Sequence, residues 1–162
     1  KIMSVQIFEI DEEYIDYMCQ FDKHIFHNKQ AHQQNKRKFI GVLFKVGALD
    51  YFAPLSSFKT KHKTMDDRIY FMKIGTYCVI NLSSMFPVHK ESCHIVDIVN
   101  VEDEKYKQLL LTEARHIRTI EQKIVKNATT LYDLVTRQKN QGLIKICVDF
   151  KLLEQKALEY KK

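Results

Sequence analysis

The hydrophobic period of this 162-residue chain changes once, close to residue 100. Before that point, apolar and polar residues alternate in short runs such as "SVQIFEI", the pattern of half-buried strands. After it, apolar residues recur every three or four positions, as they do on one face of a helix. Strands followed by helices indicate an α+β fold with helices packed on a mostly antiparallel sheet. The length suits a single domain over residues 1–162.

The strand half of the chain is predicted to contain two hairpins. One covers residues 39–55 and turns at Gly47, and the other turns at Gly75, because glycine adopts the positive φ that tight turns require. Proline has no N–H to donate to a β-ladder, so Pro54 indicates that its strand lies at a sheet edge or ends there. The runs "FPV" and "HIVDIV" predict one or two further strands.

One early helix and three C-terminal helices are predicted around these strands. The early helix is capped by Asp11, ends near Phe21 and follows a strand over residues 4–10. Residues 22–38 are polar and without a period, which indicates a long loop. The C-terminal helices are predicted at residues 102–126 with an end at Asn127, at 128–138 with Gly142 as the C-cap, and from Asp149 onward.

The positive charge of the chain is concentrated in one segment. The formal net charge is +6, but residues 23–63 alone carry nine basic residues against one acid, Asp50. That segment is therefore +8 and the remainder is −2. A localised positive field favours a polyanionic partner such as RNA. A basic surface that serves only solubility is the alternative.

Several classes of function lack their motifs in this sequence. It has neither the glycine-rich phosphate-binding loops nor the nucleophile elbow G-x-S-x-G, so we expect no cofactor. No C-x-x-C pair exists, and we expect four free thiols and no metal site, since His24 and His27 lack further ligands. No window has the ~20 apolar residues of a membrane span. Acids close to the start argue against a secretory signal, and we expect a cytoplasmic protein.

Cations and hydroxyls bracket the first hairpin. Lys36, Arg37 and Lys38 precede its first strand, and Ser56, Ser57 and Lys59 follow its second strand. In an antiparallel hairpin the entrance of one strand lies beside the exit of the other, so the two segments should meet. Together they would bind phosphate without a metal, because Lys and Arg stabilise its charge. A solvated loop whose serines form local turns is the alternative.

Such a site could promote RNA cleavage, because RNA carries its own nucleophile. The ribose 2′-OH attacks the adjacent phosphorus, and cations and hydroxyl donors stabilise the charge that develops on the phosphoryl oxygens. The products would be a 2′,3′-cyclic phosphate and a 5′-hydroxyl, and DNA, which lacks the 2′-OH, should not be cut.

The segments "KRKFIGVLFKV", "YFAPLSSFKTKH" and "INLSSMFPV" resemble the ToxN/AbiQ endoribonuclease toxins of type III toxin–antitoxin systems. The resemblance implies a strongly twisted antiparallel sheet surrounded by helices, distantly similar to Kid/MazF toxins. It also implies metal-independent, sequence-selective RNA cleavage of cellular mRNA. The implied antitoxin is a small repeat-derived RNA pseudoknot, which the toxin processes from its precursor and which inhibits the toxin in a closed ring, expected as 3:3. Growth arrest and phage defence are the implied roles.

The resemblance also assigns site residues. It places the catalytic hydroxyl pair at Ser56 and Ser57, with Ser57 acting at the scissile phosphate, and the charge-stabilising cations at Lys59 and Arg37. A family tyrosine before the cation is replaced here by His32 and Gln33. The proton acceptor is left open between Lys59, which neighbouring cations could deprotonate, and a neutral His62. Further candidates for RNA binding are Lys36, Lys38, Lys61, Lys63, Gln33, His32, Phe58, Arg115 and Arg118, with Tyr51 as a second possible stacking residue.

Two other classes of function remain open at this point. A non-catalytic RNA-binding regulator could use the same basic loops, and incubation with RNA in EDTA separates it from a nuclease. A toxin inhibited by a protein, as in the Kid/MazF group, is the other alternative. A tandem array of short repeats upstream of the gene is expected only for an RNA antitoxin.

Overall fold

The computed structural model describes residues 4–27 and 35–161. Its strands are β1 Gln6–Ile10, β2 Phe39–Gly41, β3 Lys45–Val46, β4 Leu49–Ser57, β5 Phe71–Ile74, β6 Cys78–Asn81, β7 Phe86–Val88 and β8 Cys93–Ile95. These eight strands form one sheet in which every pairing is antiparallel, in the order β5-β6-β4-β2-β1-β8, with β3 and β7 also paired to β4. One early helix and three C-terminal helices pack around the sheet, which confirms the predicted α+β architecture.

Both predicted hairpins are present. Gly47 and Gly75 adopt φ values of 59° and 53° in their turns, the left-handed conformation for which glycine was expected there. The first hairpin is less regular than predicted, because β2 ends at Gly41 and β3 begins only at Lys45.

The prediction that Pro54 marks a sheet edge is wrong, because β4 is the central strand. The N–H of Leu55 donates to the carbonyl of Lys38 on the β2 side (2.9 Å), so the nitrogen of Pro54 faces the opposite side of β4. On that side the pairing of β4 with β7 extends only to Phe52, and the pairing of β4 with β6 begins at Leu55. The missing N–H therefore falls in a gap of the ladder, and the strand continues to Ser57.

The helices begin and end at other residues than predicted. Asn127 does not end a helix, because the helix α2, Glu104–Thr136, continues through it with Ile124, Ala128 and Leu131 buried on one face. This burial outweighs the weak helix propensity of asparagine. The helix bends at Ile120, whose φ and ψ are −121° and 15°. The helices are α1 Glu12–Cys19, α2 Glu104–Thr136, α3 Gln141–Ile146 and α4 Phe150–Glu159.

The C-cap predicted at Gly142 is also elsewhere. Gln138 takes the left-handed conformation after α2, with φ 56°, and Lys139 donates its N–H to the carbonyl of Leu134 (2.9 Å). These contacts form a Schellman motif, which ends the helix without a glycine. Gly142 lies instead in the first turn of α3. The last helix is capped as expected, since the carboxylate of Asp149 accepts the N–H of Leu152 (3.1 Å).

Candidate active site

The pairing of β2 with β4 brings the two basic segments together. Phe39 lies opposite Pro54, so residues just before β2 lie beside the end of β4. Arg37 Nη1 donates to the carbonyl oxygen of Leu55 (3.1 Å) and to the hydroxyl of Ser56 (3.3 Å). The juxtaposition expected from hairpin geometry is therefore present.

Arg37 is held on several sides. Its Nε donates to the carbonyl of His27 (2.9 Å), and its guanidinium carbon lies 4.8 Å from the ring centroid of Phe26. Burial lowers the pKa of Arg37, but a guanidinium stays charged at any working pH. The result is a fixed cation at the end of β4.

The hydroxyl of Ser56 is fixed by two donors. Asn81 Nδ2 donates to Ser56 Oγ (2.9 Å), in addition to Arg37 Nη1. With its two lone pairs occupied, Oγ can still donate its own proton to a phosphate oxygen. Asn81 was not among the predicted site residues, although it lies in the "INL" stretch that carries the family resemblance.

Ser57 is positioned differently from Ser56. Successive residues of a strand face opposite sides of the sheet, and Ser57 lies directly opposite Cys78 on β6. Its side chain is exposed and makes no hydrogen bond to residues 4–27 or 35–161. Its hydroxyl can therefore reorient toward a bound substrate.

His62 fixes the loop that carries Lys59. The N–H of Lys59 donates to His62 Nδ1 (2.8 Å), and the N–H of His62 donates back to the carbonyl of Lys59 (2.9 Å). The imidazole is buried between the rings of Phe58 and Phe71, with centroids 5.6 and 5.5 Å away. Because Nδ1 is occupied and the ring is buried, the geometry gives His62 a positioning role and argues against a role as proton acceptor.

The hydrogen bond from the Lys59 N–H to the buried His62 ring predicts that the stability of the protein depends on pH. Burial, followed by the charges of Lys61, Lys59 and Lys73, lowers the pKa of His62. The unfolded chain then binds a proton more readily than the folded chain, so stability is lost as the pH falls below the ordinary histidine value of about 6.5. Between pH 7.5 and pH 5 the thermal midpoint of the wild type should fall more steeply than that of His62→Asn, whose amide oxygen can accept the same N–H without titrating.

The chain has six other histidines, so only the difference between the two proteins is informative. Equal slopes would show that protonation of His62 does not weaken the loop.

The cations and serines line one open cavity of about 680 Å³. The ammonium groups of Lys36 and Lys59 have no hydrogen-bond or ion-pair partner within the described part of the chain, and both side chains are exposed. Together with Arg37 they make the cavity strongly positive, which suits phosphate. The lining residues are Phe26, Asn35, Lys36, Arg37, Lys38, Leu55, Ser56, Ser57, Lys59, Tyr77, Cys78, Tyr106, Leu109 and Glu113.

Lys38 lines the cavity but already has partners. Its ammonium forms an ion pair with Glu9 (2.8 Å), donates to the carbonyl of Lys36 (2.9 Å) and lies over the ring of Tyr106. Burial alone would lower the pKa of Lys38, but hydrogen bonds to Glu9 and Tyr106 outweigh it and raise the pKa. Because its ammonium group is buried and already paired, Lys38 has little charge to offer to RNA phosphate.

The remaining predicted residues lie outside the cavity lining. Lys61 and Lys63 are exposed on the 3₁₀ turn Thr60–Thr64, beside the site. Tyr51 cannot stack a base, because it is fully buried and donates its hydroxyl to Glu154 (2.7 Å). Arg115 and Arg118 are exposed on α2, Phe58 packs on His62, and His32 and Gln33 lie outside the described residues.

A buried carboxyl on α2 was not predicted. Glu113 is only 6% exposed and lines the cavity, with the Cys78 thiol as a hydrogen-bond partner. Burial raises the pKa of Glu113 to about 7, against the opposing effects of Cys78 and Lys38. An acid at a position where the helix period places a core residue, between Leu110 and Ile117, was the available sequence signal.

Two kinds of feature are absent from the described residues, a metal-binding cluster and a membrane-spanning helix. Within residues 4–27 and 35–161, no three or more His, Cys, Asp or Glu side chains are grouped so as to hold a metal ion. In the same ranges no helix has the length and apolar character to cross a membrane. All four cysteines are free thiols, as expected.

The chain matches a known family over most of its length. Residues 6–158 match the family model described as toxin ToxN of the type III toxin–antitoxin system. An endoribonuclease ToxN from Bacillus thuringiensis subsp. kurstaki is 30% identical over 164 residues, which cover 94% of this chain and 82% of that protein.

Two solved structures have the same fold. One comes from work on a bacterial antiviral system that a processed non-coding RNA regulates, with a TM-score of 0.84, 28% identity, and coverage of 97% of this chain and 99% of that chain. The other concerns selective toxin inhibition by a non-coding RNA pseudoknot in bacterial type III toxin–antitoxin systems, with a TM-score of 0.83, 27% identity, and 99% coverage of both chains. The sequence and structural matches together show that the chain belongs to the ToxN family of type III toxin–antitoxin toxins.

Proposed function

We propose that this chain is a metal-independent endoribonuclease toxin. The observation that carries the proposal is one cavity that brings together two serine hydroxyls, a fixed guanidinium and two ammonium groups, and neither ammonium group has a partner among the described residues. The relative that is named an endoribonuclease supports it. Hydroxyl donors and cations can stabilise a phosphorane-like transition state through hydrogen bonds and charge, without accepting or releasing a proton themselves.

The proposed reaction is an internal transesterification. The ribose 2′-oxygen forms a bond to the adjacent phosphorus as its proton passes to a water molecule, and the bond from phosphorus to the 5′-oxygen breaks. That 5′-oxygen takes up a proton from water, so the ends are a 2′,3′-cyclic phosphate and a 5′-hydroxyl. The extra negative charge of the transition state lies on the non-bridging phosphoryl oxygens, where each well-placed donor contributes roughly 10²–10³ in rate.

The roles of the side chains follow from their surroundings. Ser57 can turn its hydroxyl toward the scissile phosphate, because no described residue binds it. Ser56 donates from a position fixed by Asn81 and Arg37. Lys59 supplies mobile charge, and His62 positions its backbone. Lys36 extends the positive surface of the cavity that would contact the RNA strand.

The partners proposed for the toxin are RNAs. A small repeat-derived pseudoknot, processed by the toxin from its precursor, would occupy the cavity and inhibit it, and the structural neighbour inhibited by a pseudoknot supports this. We propose a closed 3:3 ring of toxin and RNA. Released toxin would cleave cytoplasmic mRNA, arrest growth and protect against phage, as the neighbour from an antiviral system suggests.

Cleavage in EDTA tests the proposal. Purified protein incubated with single-stranded RNA and excess EDTA should produce fragments with cyclic phosphate and 5′-hydroxyl ends, identified by mass spectrometry. The same sequence with a single 2′-deoxyribose at the cut position should stay intact, because it lacks the nucleophile. Binding without cleavage would support the RNA-binding regulator, and cleavage only after added Mg²⁺ would contradict metal independence.

A further inference from the structure

The cavity has a second region beyond the cations and serines. Tyr77 from the β5–β6 turn and Leu109 of α2 are 40% and 37% exposed, although both are large and apolar. Tyr106 lies in the first turn of α2, and Glu113 lies seven residues further along the same face. All four line the cavity that contains Ser57 and Lys59.

Aromatic and apolar side chains around one polar group are typical of a nucleobase pocket. Unstacked bases of single-stranded RNA stack on tyrosine rings and are distinguished through hydrogen bonds to their edges. Glu113 is the buried polar group available for such an edge. The pocket also adjoins the catalytic hydroxyl, because Cys78, the partner of Glu113, lies directly opposite Ser57 in the sheet.

We propose that Tyr77, Tyr106, Leu109 and Glu113 form a nucleobase subsite, in which Glu113 as a neutral carboxylic acid selects a base that presents a ring-nitrogen acceptor beside an exocyclic amino group. This inference rests on the proposed function, because the subsite would read a nucleotide next to the scissile phosphate. On the Watson–Crick edge, adenine and cytosine have this arrangement and guanine and uracil do not. A carboxylic acid is complementary to it, since the O–H donates to the ring nitrogen and the C=O accepts from the amino group.

The protonation state of Glu113 makes the selection pH-dependent. Burial raises its pKa to about 7, so the acid is mostly neutral at pH 6 and mostly ionised at pH 8. An ionised carboxylate can only accept, which suits the N1–H and amino group of guanine instead. The charged and titratable groups around it are Cys78 of β6 and Lys38 before β2, with Glu9 and Tyr106 bound to Lys38, and the further cavity cations Lys36, Arg37 and Lys59. His116 also adjoins the subsite, because its ring centroid lies 5.2 Å from that of Tyr77.

The four 2′-deoxynucleoside 3′,5′-bisphosphates test the subsite without requiring cleavage. Each carries phosphates for the cations and one base, and none can be cut. By calorimetry at pH 6, the adenine and cytosine compounds should bind at least about tenfold more tightly than the guanine and uracil compounds. The affinities of the adenine and cytosine compounds, compared with each other, then show which of these two bases the subsite prefers. At pH 8 their advantage over the guanine compound should shrink.

Variants of Glu113 separate recognition from packing. Glu113→Gln keeps one donor and one acceptor but does not titrate, so its base preference should be the same at pH 6 and pH 8. Glu113→Leu should lose the preference. Glu102→Gln makes the same chemical change at an exposed position outside the cavity and should behave as the wild type. Thermal unfolding of each variant checks the fold.

Equal affinity of the wild type for all four compounds at pH 6 would overturn the subsite. A pH-dependent preference that persists in Glu113→Gln would overturn the role of Glu113. Both results are independent of RNA cleavage, so failure of the subsite and failure of the proposed nuclease activity are distinguishable.

Discussion

Ser57→Ala is expected to lower the rate of RNA cleavage by about 10²–10³-fold, the usual effect of removing one donor from a charge-stabilising site, and to abolish toxicity in cells. Its hydroxyl lines the cavity and is not bound by any described residue. The substitution should therefore remove a hydrogen bond to the substrate and none to the described part of the protein. An exposed serine without such contacts contributes within about 0.5 kcal/mol to stability. Single-turnover cleavage, RNA affinity and the thermal midpoint are the measurements.

Two serine variants serve as controls for Ser57→Ala. Ser4→Ala changes an exposed serine outside the cavity and should retain full cleavage. Ser56→Ala leaves Asn81 Nδ2 and Arg37 Nη1 without their shared acceptor, so it should also lower stability, by about 1 kcal/mol. Cells that still die when they express Ser57→Ala would show that Ser57 is not the catalytic hydroxyl.

The meeting of the basic segment with the serines could be predicted from the sequence because the contact that joins them is local. Arg37 and Ser56 are joined by a single hairpin, and antiparallel pairing alone brings the start of one strand beside the end of the other. The same local reasoning identified the turns at Gly47 and Gly75. Short-range geometry therefore determines both the hairpins and the positions of the predicted cations.

The errors arise where distant parts of the chain decide the structure. Pro54 is tolerated in the central strand because β6 and β7 leave a gap beside it, and both strands come later in the sequence. Asn127 stays helical because the helix face around it is buried. In each case tertiary packing outweighs a local propensity.

The missed site residues have the same cause. Asn81 reaches Ser56 across the β4–β6 pair, and Glu113 reaches the cavity from α2. Nothing in the local sequence around either residue indicates which strand it will face. Lys38 shows the converse, because its basic neighbours suggested RNA contact while Glu9, on another strand, neutralises it.

Lys59→Ala is expected to lower cleavage by about 10²–10³-fold, and Lys59→Arg to keep activity within about tenfold of the wild type. In our proposal Lys59 acts as a cation, and its ammonium has no other partner among the described residues. A guanidinium can replace that charge but cannot accept a proton, because arginine stays protonated. Single-turnover rates of the three proteins at one pH and salt concentration measure the effect.

The same series decides between the two roles first considered for Lys59. If Lys59 accepted the 2′-OH proton, Lys59→Arg would be as inactive as Lys59→Ala, and the charge-stabilising role would be wrong. Lys90→Ala removes an exposed lysine outside the cavity and should leave the rate unchanged, which controls for the overall loss of positive charge. The salt dependence of RNA binding should become shallower in Lys59→Ala but not in Lys59→Arg, because only the alanine variant loses a phosphate contact.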